Sequence, residues 1–229
     1  TGYTESYGEG KNDAWIIKTD SSGVEEWSQV LGGNGRDGVY DGIQTNDGGY
    51  ILAGYSDSFS QNDQDCWLIK TNSNGDIIWD KTYGGIEAQN VQEIILAQDG
   101  GYLLFGSTES YGNGGFDFYL IKVDSNGNEE WSHTYGGDNH DIGNSFKQLE
   151  DGGYILVGRS ESFRDQKTLL VKTDSNGNEE WKKSFDGDGA YSIIQTIDGD
   201  FVFPGQIYTS SQDIYLIKTD SEGSILRQK

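Results

Sequence analysis

The chain has 229 residues, 16 of them basic and 38 acidic, for a formal net charge of −22, which works against nucleic acid and anionic membrane surfaces and suits cations, salty surroundings or basic partners. Thirty-four glycines, 14 tyrosines and six tryptophans with no methionine read as a β-rich protein. The lone Cys66 excludes an internal disulfide framework and a Cys-based metal site, and no apolar run reaches the ~18 residues that a membrane helix needs.

In chain order, Thr1–Ser6 matches Ala53–Ser58 and Phe105–Ser110, so the sequence opens inside a strand. An apolar run then closes at Lys18, a turn follows over Asp20-Ser21-Ser22-Gly23, and Trp27 stands four residues past the glycine. The same pattern returns with its Lys at Lys70, Lys122, Lys172 and Lys218, in steps of 52, 52, 50 and 46. Its Trp returns at Trp79, Trp131 and Trp181, with Arg227 in the fifth place. A second turn, Asp-Gly-Gly-Tyr, recurs at Asp47–Tyr50, Asp99–Tyr102 and Asp151–Tyr154, and degenerates to Asp-Gly-Asp-Phe at Asp198–Phe201. Self-similarity at a fixed period marks a repeat architecture.

Two glycine turns per repeat predict four strands, A to D, since both turns supply the positive φ that hairpins demand. In the second repeat these are A over Val39–Thr45, B over Tyr50–Tyr55, C over Asp65–Thr71 and D over Ile77–Tyr83. Four antiparallel strands per repeat make one propeller blade. The expectation is therefore an all-β, β-propeller fold of four-stranded antiparallel blades in a single domain over 1–229, with repeats at about 1–53, 54–105, 106–157, 158–204 and 205–229. Five blades are expected, the first lacking its strand A, so that either the flanks of a longer chain complete it or the array is a fragment of a larger one. Strand C alternates between two apolar columns, one holding Trp15, Trp67 and Tyr119, the other Ile16, Leu68 and Leu120. That pattern predicts a strand covered on both faces. Cys66, inside such a strand, is read as structural.

At Asp124-Ser-Asn-Gly-Asn-Glu-Glu-Trp131 and its copies the chain resembles the tryptophan-docking repeats of PQQ-type propellers. With Gly-Gly after the Trp strand and Asp-Gly-Gly-Tyr before strand B, it is similar to the repeat propellers of secreted bacterial and archaeal surface proteins. The resemblance spans essentially the whole chain and implies an extracellular or cell-surface setting. It also implies a Trp packed at each blade junction near the following Gly-Gly. The fourth copy, Phe185-Asp186-Gly187, departs from that pattern, and no dedicated PQQ or calcium site of the enzymes is reproduced.

Asp124, Asn126 and Asn128 alternate like oxygen ligands of a calcium loop, but a bidentate acid at the twelfth position is missing, and Asp and Asn bonding their own turn is the preferred reading. Strand A is expected to line the propeller channel, with Asp41, Glu93, Ser145 and Ser192 in one column. Two carboxylates there would be the minimum for glycosidase-like acid–base work. The only histidines, His133 and His140, lie in one repeat and make no metal set, and no catalytic triad or phosphate loop is present.

The clearest functional signal is asymmetry between the two ends of the blades. A–B and C–D turns are short and uniform, whereas B–C and D–A loops are long and variable. Acid-Ser-aromatic recurs at the start of the B–C loops, placing Tyr7, Phe59, Tyr111 and Phe163 beside carboxylates. Such rings could stack on sugars or cap their own blades. The reading is a non-enzymatic extracellular or cell-surface interaction module, part of a larger chain, that binds a protein or other partner through this variable loop face. It needs no cofactor, calcium being the one candidate cation, and neither nucleic acid nor membrane insertion. A lectin-like propeller and a five-bladed glycosidase are the alternatives.

Overall fold

The computed structural model describes residues 1–60, 63–163, 167–208 and 212–229, and their regular structure is entirely β, with no helix long and apolar enough to cross a membrane. A three-stranded sheet holds β1 (Gly2–Thr4), β2 (Asp13–Thr19) and β3 (Glu25–Leu31). Four four-stranded sheets follow. The second is β4 (Asp37–Gln44), β5 (Tyr50–Ser56), β6 (Asp65–Thr71) and β7 (Ile77–Tyr83); the third is β8 (Gln89–Leu96), β9 (Tyr102–Thr108), β10 (Asp117–Val123) and β11 (Glu129–Tyr135). The fourth is β12 (Asp141–Gln148), β13 (Tyr154–Ser160), β14 (Lys167–Thr173) and β15 (Glu179–Asp186); the fifth is β16 (Ile194–Gln195), β17 (Phe201–Tyr208), β18 (Gln212–Thr219) and β19 (Ile225–Gln228). Within each sheet the strands lie in chain order, as tight hairpin turns require. The first sheet lacks strand A, as the repeat alignment predicts.

The second-repeat strands C and D fall where the sequence places them. Strand A begins two residues earlier, at Asp37, and bulges at Tyr40, where the register slips between Val39 and Asp41. A matching slip separates Gly143 from Ser145 in β12. In the fifth sheet strand A shrinks to Ile194–Gln195, preceded by a single antiparallel bridge from Ala190 to Gly205.

Two compact units divide the chain: Thr1–Leu104 with Lys122–Glu130, and Phe105–Ile121 with Trp131–Lys229. In the first, Ala14, Ile16 and Leu31 of the first sheet meet Val39, Leu52, Trp67 and Ile69 of the second. In the second, Ile155, Val157 and Leu170 of the fourth sheet meet Phe201, Phe203, Tyr215 and Ile217 of the fifth. At both of these junctions the earlier sheet gives its Ile16-type column and the later sheet its Trp67-type column. Each fully buried aliphatic or aromatic side chain in these columns contributes roughly 1.5–3 kcal/mol. The expected cover on both faces of strand C holds for β6 and β10, which are buried throughout. On β2 and β18 Ile17 and Leu216 are exposed, no sheet among the described residues stacking on their outer sides.

The repeated Lys at the end of strand C explains the repeated Asp of the A–B turn. Lys70 Nζ donates to Thr45 Oγ1 at 2.7 Å and pairs with Asp47 at 2.9 Å. Lys122 pairs with Asp99 at 2.8 Å and Glu130 at 2.7 Å, Lys172 with Asp151 at 3.3 Å, and Lys218 with Asp198 at 3.1 Å. Lys18 has no A–B turn in its sheet and pairs with Glu26 instead. In the C–D turn, Asp124 Oδ1 accepts the Asn126 and Asn128 amides at 2.8 Å, and its Oδ2 accepts from Asn128 Nδ2 at 2.7 Å. Those oxygens close the turn, as the turn reading requires.

Candidate interaction face

At the opposite end, the long loops are stitched together by backbone bonds. In the first unit the Asp37 amide donates to Asn12 O at 2.8 Å, the Asp57 amide to Arg36 O at 2.8 Å, and the Gln89 amide to Gln64 O at 2.7 Å. In the second unit the Glu161 amide donates to His140 O at 2.8 Å, and Asp141 bonds Phe116 in the same way. Each such D–A loop is flanked by B–C loops, so long segments with little regular structure still satisfy their backbone groups.

A carboxylate at the head of strand A ties these loops further. Asp37 Oδ2 accepts the Gly33 amide at 2.9 Å and the Ser58 hydroxyl, while the Gly35 amide donates to Ser58 Oγ at 2.8 Å. Asp141 Oδ2 accepts the Gly137 amide at 2.8 Å and Ser162 Oγ at 2.7 Å. Gln89 fills the same place in the third sheet, accepting the Gly85 amide at 3.1 Å. Ser58 and Ser162 of acid-Ser-aromatic are therefore tethers between loops. Sequence reasoning did not single out Asp37 and Gln89, and read Asp141 only as part of the acidity of the loops, although the place of all three four residues after the second glycine of each Gly-Gly was the available signal.

A second buried carboxylate opens strand C. A Cβ at Gly32 would collide with Asp13 and Asp37 oxygens together, and one at Gly136 with those of Asp117 and Asp141. Glycine is required there for the two carboxylates to close over the backbone. Burial pushes Asp117 up to about 6, against the Asn113 amide it accepts, and Asp141 adds to the rise. Burial and then Asp63 push Asp65 up to about 6. Asp13 is raised by burial and by the charges of Asp37 and Glu9. Asp65 Oδ1 and Asp141 Oδ1 are buried with no hydrogen-bond partner. Burial also raises the Cys66 thiol, leaving it unreactive.

Three of the loop aromatics rest on the strand C ring of their own sheet. Ring centroids are 6.4 Å apart for Tyr7 and Trp15, 5.3 Å for Phe59 and Trp67, and 5.8 Å for Tyr111 and Tyr119. Their outer sides remain exposed. Phe163 is half-buried, and the residue at the strand C position of its sheet is Leu169 rather than a ring. Asp41 uses Oδ1 for the Gly42 amide at 2.8 Å and Oδ2 for the Ile94 amide at 3.0 Å, which brings it to the residue beside Glu93. Ser145 is buried on β12, and Ser192 is exposed ahead of β16. His133 Nε2 lies 3.0 Å from Asn176 O, and His140 Nδ1 accepts the Phe116 amide at 3.1 Å. Among the described residues no group of three or more His, Cys, Asp or Glu is placed to hold a metal ion.

Neither a protein-family model nor a curated protein matches the sequence. Among solved structures, the WD40 β-propeller domain of Doa1 is similar with a TM-score of 0.53 at 15% identity, over 93% of this chain and 62% of that one. The Dos1 propeller is similar with a TM-score of 0.60 at 11% identity, over 93% of this chain and 52% of that one. The fold is a β-propeller. The chain spans between half and two thirds of the length of these propellers, and identities this low carry the fold alone. The five sheets are its blades.

Proposed function

We propose that this propeller is a non-enzymatic interaction module whose partner binds the B–C and D–A loop face. The observation that carries the reading is the contrast between the two ends. Ion-paired turns repeat almost unchanged at one end, whereas the other holds hydrogen-bonded loops of differing sequence with exposed Tyr7, Phe59 and Tyr111, each braced by a ring beneath it. Variable loops on a fixed scaffold are where binding residues concentrate, and braced aromatics lose little side-chain freedom when a partner covers them. The acidity of these loops favours a basic protein surface, and Phe163 extends the same motif to the fourth blade.

Support for an extracellular or cell-surface setting, within a larger chain, comes from the resemblance of the repeat to surface propellers. Calcium is the candidate cation for the acidity of these loops. Its check is a pair of melts with and without chelator, repeated at high sodium chloride. A chelator effect at low salt supports calcium, and an equal rescue by sodium chloride assigns the effect to charge screening.

The functional test is a panel of basic proteins and a glycan array probed with the chain and with Tyr7→Ser, Phe59→Ser and Tyr111→Ser. Binding to a basic protein that each substitution weakens is the expected result. A glycan hit lost in Tyr111→Ser would favour the lectin reading. Turnover of chromogenic glycosides abolished in Asp41→Asn and Glu93→Gln would favour the enzyme.

A further inference from the structure

Where strand C of one blade begins beside strand A of the next, two side-chain oxygens border one small space. The place that a Cβ at Gly32 would fill lies against Asp13 Oδ1 and Asp37 Oδ2, that at Gly84 against Asp65 Oδ1 and Gln89 Oε1, and that at Gly136 against Asp117 Oδ1 and Asp141 Oδ2. All six side chains are buried. Each of these oxygens is an acceptor, and two acceptors meeting out of water need a proton or a cation between them.

The two members of a pair differ in the donors that reach them. On strand A, Asp37 accepts the Gly33 amide and the hydroxyls of Ser56 and Ser58, and Asp141 accepts the Gly137 amide and the Ser162 hydroxyl. On strand C, Asp117 Oδ2 accepts the Asn113 amide at 2.8 Å, and Asp65 Oδ1 has no hydrogen-bond partner. A shared proton therefore sits on the strand C oxygen. Gln89 separates the proton from a divalent ion: it leaves one carboxylate at its junction and an amide oxygen already accepting from Gly85 at 3.1 Å, which suits an O–H donor and is a poor ligand set for calcium. The fourth blade supports the pairing in another way. Lys167 opens its strand C, Asp186 stands opposite in the place of Gly32, Gly84 and Gly136, and the two form an ion pair. Where the strand C residue is a cation an acid faces it, and where it is Asp only glycine leaves it room. The other charges nearby are Glu9 at Asp13 and Asp63 at Asp65, which favour the proton after burial does, and Lys182 at Asp117, which opposes it. Lys182 Nζ donates to Gly136 O at 3.3 Å and lines a cleft with Asp117 and Glu179.

We propose that each of these three junctions is clasped by one proton, carried on Asp13, Asp65 or Asp117 and donated to Asp37, Gln89 or Asp141, so that acid tightens the loop face and alkali loosens it. The folded chain holds these protons more tightly than the unfolded one, so the clasp is complete below the ordinary Asp range and is lost as pH rises through about 6 at Asp65 and Asp117. Its loss leaves two facing carboxylates at the first and third pairs and one at the second. The clasp belongs to the fold beneath the loops and stands whether or not a partner binds there.

The test is made on the whole chain in chelator. Carboxyl-carbon NMR of the aspartate-labelled chain, assigned with Asp65→Asn and Asp117→Asn, should show both groups titrating near pH 6. Hydrogen exchange corrected for the intrinsic rate should show the amides of Gly33, Gly85 and Gly137 losing about tenfold in protection between pH ~5 and pH ~8, with the C–D turn amides of Gly75 and Gly177 unchanged. In Asp117→Asn the loss at Gly137 should vanish while that at Gly33 persists; if that variant does not fold, the wild-type titration and exchange decide alone. Titration of Asp65 and Asp117 in the ordinary Asp range, equal protection at the two pH values, a loss at Gly137 that persists in Asp117→Asn, or added calcium that restores protection at the higher pH would each overturn the proposal, the last by placing a cation in the space.

Discussion

Tyr135 donates its hydroxyl to the carbonyl of Gly177, 2.6 Å away and 42 residues further along the chain. Tyr83 makes the same bond to Gly127 at 2.7 Å. Both hydroxyls are buried, and burial is the chief cause holding both phenols above their ordinary range. Removing the donor leaves a buried carbonyl short of a partner, so Tyr135→Phe should destabilise by about 1–3 kcal/mol. The exposed Tyr3 is the control: Tyr3→Phe should leave the urea midpoint where it was. Equal midpoints for the two variants would show that the inter-blade bond contributes nothing.

Gly177→Ala and Gly23→Ala separate backbone strain from the Trp contact. Both residues have positive φ, 80° and 84°, so both variants carry roughly 1–2 kcal/mol of left-handed strain. Only at Gly177 does the new methyl also meet Trp131 and His133, which adds roughly 1–3 kcal/mol of overpacking. Denaturation in dilute solution should therefore show a larger loss for Gly177→Ala. Equal losses would mean that the Trp does not press on that turn.

Lys122 carries two carboxylates while its own side chain is almost wholly buried. Its counterpart in the first blade, Lys18, is partly exposed and reaches only Glu26. Lys122→Ala should cost about 1.5–3 kcal/mol through lost charge-assisted bonds, and Lys18→Ala within about 1 kcal/mol, as for exposed pairs. Thermal melts of the two variants check the ranking.

The loop face and the turn face respond to pH with opposite signs. Asp117 titrates near 6 in the folded chain against a reference value of 3.8, so the native state holds its proton more tightly. Stability from this group is complete below that reference and is lost as pH rises through about 6. Asp99, held low first by Lys122, contributes above its reference value and loses that contribution as pH falls through its folded value. In chelator, Asp117→Asn should therefore raise the melting temperature near neutral pH and give no gain at pH about 4, close to the ordinary Asp value. A gain that is the same at both pH values would contradict the burial of Asp117.

Most of the fold was legible because glycine turns and apolar columns act locally. The boundaries of β6 and β7 follow from Asp65, Thr71, Ile77 and Tyr83. Strand A was harder to read: its start depends on loop bonds at Asp37, and its bulge at Tyr40 carries no local signal in the sequence. The outer faces of β2 and β18 carry the same apolar pattern as buried strands, so sequence alone cannot tell that Ile17 and Leu216 are uncovered. The aromatic column was visible, but not the rings beneath it, which come from residues eight positions further along, as Phe59 and Trp67 show. Asp41 read as one of two carboxylates in a channel-lining column, and the structure adds that its oxygens accept the backbone amides of Gly42 and Ile94.

The assignment of binding to the loop face is tested most directly by placing a photo-crosslinking amino acid at Tyr111 or, in a separate variant, at Asn126 in the C–D turn, and irradiating each with the basic protein that binds the unmodified chain. The account predicts covalent adducts from position 111 and none from position 126. Adducts from position 126 alone, with binding unchanged in Tyr7→Ser, Phe59→Ser and Tyr111→Ser, would contradict it.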